Sequence, residues 1–383
     1  MSIHDSAERK PDSLQPSGGT MSFHGSYRPL DVEFLLKPIK MDMIDTPMDK
    51  ERLIQSGLRH YSEMLSPEKI PSPKYRELFF QAHELNKRQM AKDCLHLARL
   101  IMARTQEMPT LVSLARAGTP VGAVLAHILR QLSGQAIAHF SVSIIRDRGI
   151  DAVALDHILA QGYKAESIVF IDGWTGKGVI SRELDSAIAA YNRERGTHID
   201  SGLYVLADLA GTAACAASGE DYLIPSSILN STISGLVSRT ILNSAVGADD
   251  FHGCVHFKEF AGHDLSCWFV DDLVKTAFEI DAIEDIIPPT PVDRAALADI
   301  SRRFMRDEMQ RHRISDENLI KPGIGEATRV LLRRVPKCVM VRDADAASVA
   351  HLIALAKEKN IPVEKRPDLP YNAASIIRSL KDA

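Results

Sequence analysis

One stretch of this 383-residue chain carries the densest chemistry: Ile168-Val-Phe-Ile-Asp172-Gly173-Trp174-Thr175-Gly176-Lys177-Gly178, a hydrophobic run that ends in an acid and opens into a glycine–threonine loop. Glycines let consecutive backbone N–H groups converge, a following helix adds positive potential, and Thr175 offers a hydroxyl. Such a loop captures anions. Asp172 can accept hydrogen bonds from sugar hydroxyls without touching a phosphate. A Walker-type phosphate loop is excluded: only Trp174 and Thr175 separate Gly173 from Gly176, and Gly178 stands where a magnesium-binding hydroxyl is required. A second segment of the same form, Leu111–Gly122, places Arg116 beside Gly118, with Pro120 suited to a first helical turn. A guanidinium there can grip diphosphate oxygens in pairs. Arg146, Arg148 and Asp208 close two further hydrophobic runs. Mixed charges at such positions suit a polyanionic sugar with Mg2+, an ion that needs only one or two carboxylates besides ligand oxygens.

A separate constellation concerns sulfur. In Phe251–Phe257, His252, Cys254 and His256 alternate, so an extended backbone would put all three on one face. A thiol beside an imidazole can become a thiolate nucleophile, and Cys254 with His252 and His256 is the candidate thiol site; His263 and Cys267 follow. The same donors could hold zinc, but their spacing matches no common zinc site, and no metal-binding set is assigned. Pro225–Gly235 is rich in hydroxyls, from Ser226 to Ser234, and reads as a capped helix start that could face a ligand.

The elements that must position these groups follow from periodicity. Thr110–Ala115, Ala136–Ile145, Ser167–Asp172 and Gly202–Ala207 predict strands, separated by helices over Pro120–Leu132, Ala152–Gln161 and Gly178–Arg195. That alternation predicts an α/β fold with a parallel sheet covered on both faces. Arg116, Arg146, Arg148, Asp172 and Asp208 then fall at or just past the carboxyl ends of the strands, where open α/β sheets bind ligands. Residues 1–24 are polar and aperiodic and read as a disordered leader. A charged helical connector spans 288–318. A second small α/β unit spans 319–383, with a helix over Glu326–Arg334, a strand over Lys337–Arg342, a helix over Ala346–Lys359, a short strand near Val363 and a last helix. The net charge of −4 gives no global field for nucleic acid or membrane, so anion binding must be local. No apolar run reaches the roughly 18 residues of a membrane span. Five cysteines without a CxxC pair argue against a disulfide framework and fit a cytoplasmic setting.

Asp172–Gly178 resembles the phosphate-and-ribose loop of type I phosphoribosyltransferases, and Ser113–Gly122 resembles their diphosphate loop, in the same order and at similar spacing. More narrowly, residues 25–275, within a domain expected over 25–287, resemble the phosphoribosyltransferase-like protein of bacterial tellurite-resistance and stress operons through Gly25-Ser-Tyr, Asp31–Lys37, His60–Met64, Asp172–Gly178 and Ser226–Gly235. The resemblance implies an enzyme that binds phosphoribosyl diphosphate with Mg2+ and transfers ribose phosphate to a base or nucleoside-like acceptor. Asp172, Gly173, Thr175, Gly176, Lys177 and Gly178 would hold phosphate and ribose. Ser113, Arg116, Ala117, Gly118 and Thr119 would hold diphosphate, and Arg116, Arg146 and Arg148 would stabilise the departing charge. The loop departs from the type I pattern in being about one residue short, in having one acid, and in ending on Gly178. Related chains carry the label of stress-linked cysteine proteases (StiP), which implies a thiol hydrolase and points to Cys254.

In the C-terminal unit, Lys321-Pro-Gly323-Ile-Gly325-Glu326-Ala-Thr-Arg329, continuing to Arg333 and Arg334, resembles the start of the pelota-type RNA-binding fold. The resemblance implies that Gly323 and Gly325 shape a turn, Glu326 reads a base edge, and Arg329 and Arg333 meet phosphate of a structured RNA. Three readings stand: a phosphoribosyltransferase with an RNA-binding module, a thiol hydrolase, and a non-catalytic nucleotide-sensing RNA-binding regulator. Each is compatible with self-association into a homo-oligomer.

Overall fold

The computed structural model describes residues 22–44, 46–104, 107–283 and 292–379; most of the leader expected over 1–24 lies outside them. In chain order the N-terminal part runs β1 (Glu33–Leu35), β2 (Lys37–Pro38), α1 (Pro47–Gln55), α2 (Pro73–Arg104), β3 (Thr110–Ala115), α3 (Thr119–Ser133), β4 (His139–Ile145) and β5 (Gly149–Ile150). It continues through α4 (Ala152–Ala160), β6 (Ile168–Thr175), α5 (Val179–Arg195), β7 (Leu203–Asp208), β8 (Cys215–Ser218), β9 (Gly253–Cys254) and α6 (Ser266–Asp281). Then come α7 (Arg294–His312), β10 (Ile320–Pro322), α8 (Ile324–Arg333), β11 (Pro336–Val341), α9 (Ala350–Glu358), β12 (Val363–Lys365) and β13 (Ala373–Ile377).

The seven-stranded sheet has the order β1-β4-β3-β6-β7-β8, parallel throughout except where β5 turns back on β4. Its central strands are buried on both faces, which is why they read as unbroken apolar runs rather than alternating ones. Helices α2, α3 and α6 cover one face through Phe79, Leu95, Val121, Leu125 and Phe269; α4 and α5 cover the other through Leu155, Ile158, Leu184 and Ile188. The helix boundaries are chemical. Pro120 sits in the first turn of α3 and Gly134 closes it in the left-handed region; the Asp151 side chain accepts the Ala154 N–H at the start of α4.

The second sheet has the order β10-β13-β11-β12. Here one expectation fails. The last helix is a strand, β13, inserted antiparallel between β10 and β11. Its five residues are all buried, so two flanking ladders outweigh local propensity. Helices α8 and α9 cover one face of this sheet, in an apolar cluster continuous with the N-terminal core, and α7 covers the other through Phe304 and Met305. Among the described residues no helix is long and apolar enough to cross a membrane.

Candidate functional site

The carboxyl edge of the parallel sheet does gather charged groups, around a cavity of about 190 Å³. Its walls include Arg116 and Ala117 after β3, Asp172 and Trp174 of β6, Ser226, Ser227, Ser234, Arg239, and, from the C-terminal unit, Arg329 and Arg333. Arg116 is buried, paired with Glu68 at 2.5 Å, and donates to the Val237 carbonyl. Burial pushes the guanidinium of Arg239 down to about 10, and burial with the charges of Arg116 and Arg329 pushes Arg333 down to about 9. The guanidiniums keep their charge at neutral pH. Burial lifts the Asp172 carboxyl to about 6 against the pull of Arg329. The Ser227 hydroxyl is buried without a partner.

The glycine–threonine loop is placed differently from the expectation. The Thr175 hydroxyl is given to Asp208, whose carboxylate also accepts the N–H groups of Ala210, Thr212 and Ala213; both residues hold β6 to β7 and its loop. Lys177 donates to the Glu317 carbonyl at 2.6 Å, and burial with nearby Lys321 pushes it down to about 8. Glu326 leans over Gly176, so that a Cβ there would lie 3.1 Å from its Cγ. A half-buried carboxylate thus occupies the space above the loop. Gly178 adopts the left-handed conformation that starts α5. Of the second segment, Ser113 hydrogen-bonds His139 in the core, Thr119 hydrogen-bonds Ser141, and Gly118 permits the close approach of its turn to the Ile171 carbonyl. Arg146 lies over the Tyr61 ring and Arg148 pairs with Glu63; neither lines the cavity.

The residues assigned to RNA also turn inward. Arg329 lies over the Trp174 ring at 4.3 Å and pairs with Glu326 at 3.0 Å. A Cβ on Gly325 would come within 2.8 Å of the same ring, and one on Gly323 within 2.5 Å of Leu209. These glycines serve the seam between the two sheets. So does Asp221, which the sequence did not single out: its carboxylate accepts the Ile324 N–H at the start of α8 (2.9 Å) and the Asn372 N–H (2.8 Å).

The sulfur constellation is dismantled. Cys254 is fully buried in β9, and burial alone pushes its thiol up to about 12. His252 is engaged by Ser143 and its backbone N–H by Asp151, while His256 packs edge-on against Phe23. Among the cysteines only Cys267 is not buried. It lies in the first turn of α6, where backbone N–H groups lack intrahelical acceptors. Its Sγ stands 3.4 Å from the Ser26 carbonyl and 3.9 Å from Asp31 Oδ2. Asp31 Oδ1 is 2.7 Å from His127 Nε2. One carboxylate therefore touches both the thiol and an imidazole. Burial lifts the thiol, Asp31 adds to the rise, and Arg28 opposes it. Burial also pushes the Asp31 carboxyl up, but hydrogen bonds from His127 and the Arg28 N–H outweigh this and hold it below the ordinary range. A thiol at a helix start was a readable signal; its partners, far away in sequence, were not.

Comparison with known proteins decides between the readings. Residues 25–274 match the family described as tellurite-like stress resistance cysteine protease StiP, and residues 299–379 match the PELOTA RNA binding domain. A protein named "Cysteine protease StiP" from Acinetobacter baylyi (strain ATCC 33305 / BD413 / ADP1) is 39% identical over 377 residues, covering 94% of this chain and 95% of that protein. These matches overturn the expectation of a phosphoribosyltransferase, and the loop agrees with the correction: its threonine is committed to Asp208 and its glycine is covered by an acid. This chain belongs to the StiP family of tellurite-like stress resistance cysteine proteases.

Proposed function

We propose that the chain is a cysteine protease whose nucleophile is Cys267, with Asp31 as the base and His127 as the group that holds it. The observation that carries this reading is the position of Cys267: the one cysteine not buried among those described, in the first turn of a 16-residue helix, on a carboxylate that also binds an imidazole. The resting thiol is protonated, so turnover begins when Asp31, whose Oδ2 lies 3.9 Å from the sulfur, takes the S–H proton while His127 stays bonded to Oδ1. Sulfur then attacks the peptide carbonyl. Asp31 returns the proton to the leaving amine, and water releases the acyl group from sulfur. Five unpaired thiols suit a cytoplasmic setting, and the strand order supports a phosphoribosyltransferase-like fold for the N-terminal unit, without that activity.

The test is hydrolysis of fluorescein-labelled casein by wild type, Cys267→Ala, Cys254→Ala and His127→Gln. Loss of turnover in Cys267→Ala and His127→Gln, with Cys254→Ala near wild type, is expected. Full activity in folded Cys267→Ala would remove Cys267 from the mechanism.

The PELOTA match supports a second property, contact of the C-terminal unit with RNA. Glu326 and Arg329 face the seam, so contact through them requires the unit to leave it. Fluorescence anisotropy with a labelled RNA hairpin checks this: Asp221→Ala, which loosens the seam, should bind more tightly than wild type.

A further inference from the structure

We propose that His312, Cys338 and Glu364 form a binding site for a zinc-like divalent cation that fastens α7 to the C-terminal sheet. The three residues come from three elements. His312 is the last residue of α7, which Arg313 closes in the left-handed conformation, and the ring lies against the sheet. Cys338 is buried in β11 on the side that also presents Met340 to α7. Glu364 comes from the edge strand β12, opposite Met340 in the parallel register. One donor atom from each residue lies within 4.8 Å of the other two. A tetrahedral ion with ligands at about 2.0–2.3 Å needs donor separations of about 3.3–3.8 Å. Side-chain rotation closes that difference without moving the backbone.

The donor set selects the ion. Thiolate sulfur, imidazole nitrogen and a carboxylate oxygen are the ligands of zinc, whereas magnesium and calcium take oxygen. A second observation points to the same place. Glu308, one turn before His312 on α7, is 2% exposed, and its Oε2 has no hydrogen-bond partner. That oxygen lies 3.2 Å from His312 Nε2, which is itself buried and unpartnered. Buried polar atoms are normally paired. Two that face one another beside a thiol and a second carboxylate form an acidic niche that a cation would complete. The other oxygen of Glu308 is held by Arg366 at 3.1 Å, so the carboxylate is fixed in orientation toward the ring, the role that second carboxylates play around metal-bound histidines. By contrast the cluster of His83, Glu84 and Asp272 is already served by the ammonium of Lys87, 2.8 Å from Glu84 and 3.7 Å from Asp272. Binding at the proposed site expels the Cys338 proton to solvent and leaves a thiolate on the ion.

The experiment is titration of the metal-free full chain with Co2+, followed by displacement with Zn2+. A single equivalent of Co2+ should produce the near-ultraviolet sulfur-to-cobalt charge-transfer band and tetrahedral visible bands, both abolished by Zn2+. Cys338→Ala should lose the sulfur band, His312→Gln should weaken binding at least about tenfold, and His83→Gln should change neither. Folded wild-type protein without a sulfur band would overturn the proposal whatever the variants do, and so would a band that survives in Cys338→Ala.

Discussion

Asp221 is the peg on which the two sheets meet, and replacing it tests whether the seam is a designed contact. Its Oδ1 accepts the Ile324 N–H, the first residue of α8, and its Oδ2 accepts the Asn372 N–H just before β13. The Asn372 side chain in turn donates to the Asp221 carbonyl. Asp221→Ala leaves both backbone donors without an acceptor at about 1–3 kcal/mol each, so a loss of about 2–6 kcal/mol is expected. Asp221→Asn keeps one acceptor oxygen but turns an NH2 toward the other donor, and should cost about half as much. The pH dependence has a definite sign. Burial lifts the Asp221 carboxyl to about 6 despite its hydrogen bonds, above its ordinary value near 4. Between those values the folded state binds more protons than the unfolded one, so this group's contribution is full below about pH 4 and falls as pH rises through about 6. Urea titrations at pH 4.5 and pH 7.5, followed by fluorescence of Trp174 under Arg329, measure both effects. The wild type minus Asp221→Asn difference should be larger at pH 4.5. An Asp221→Ala variant within 0.5 kcal/mol of wild type, the range of a neutral surface change, would refute the reasoning.

Three further outcomes are expected. Glu68→Gln strips the buried Arg116 of its charge partner, and the loss should reach about 3–5 kcal/mol in chemical denaturation. Gly118→Ala places a Cβ 2.5 Å from the Ile171 carbonyl oxygen and 3.0 Å from the Leu114 nitrogen; backbone, not a flexible side chain, must shift, so a thermal scan should show at least the roughly 1–3 kcal/mol of overpacking. Iodoacetamide at neutral pH should alkylate Cys267 first and leave Cys254 and Cys94 unmodified until the chain unfolds, as peptide mass mapping would read; both buried thiols are raised by desolvation, Cys254 to about 12.

The parallel sheet was legible because strands buried on both faces leave unbroken apolar runs between capped helices; Asp151 and Gly134 mark helix ends that the periodicity already suggested. The gathering of Arg116 and Asp172 at one edge was legible for the same topological reason. What failed is long-range. Ala373–Ile377 becomes a central strand only because β10 and β11 lie on both sides of it, and no local pattern records that. Asp221 meets Ile324 and Asn372 across more than a hundred residues. Cys254 was chosen for histidines two residues away, yet in the folded chain those rings answer to Ser143 and Phe23. Cys267 has its imidazole on the far side of Asp31, and His127 lies ninety-six residues from that acid.

The arginine-lined cavity and Cys267 are separate places that share a wall. Ile233 and Ser234 face the cavity. The next residue, Gly235, donates its N–H to the hydroxyl of Ser266, the neighbour of Cys267, and the Leu265 N–H donates to the Thr232 carbonyl. Tyr27, buried beside the thiol, donates its hydroxyl to the Ile233 carbonyl. No cysteine lines the cavity, so a ligand held there does not touch the sulfur. A short route to the thiol runs through the Ser231–Gly235 turn, whose backbone is tied to the start of α6 by hydrogen bonds. Gly235 sits at a φ of +80°, with Phe34 and Tyr27 within about 3 Å of where a Cβ would be. A turn packed that closely transmits displacement instead of absorbing it. Effects of Arg333 or Arg239 variants on turnover therefore report on this turn, while effects of Asp31 or His127 variants report on the thiol itself.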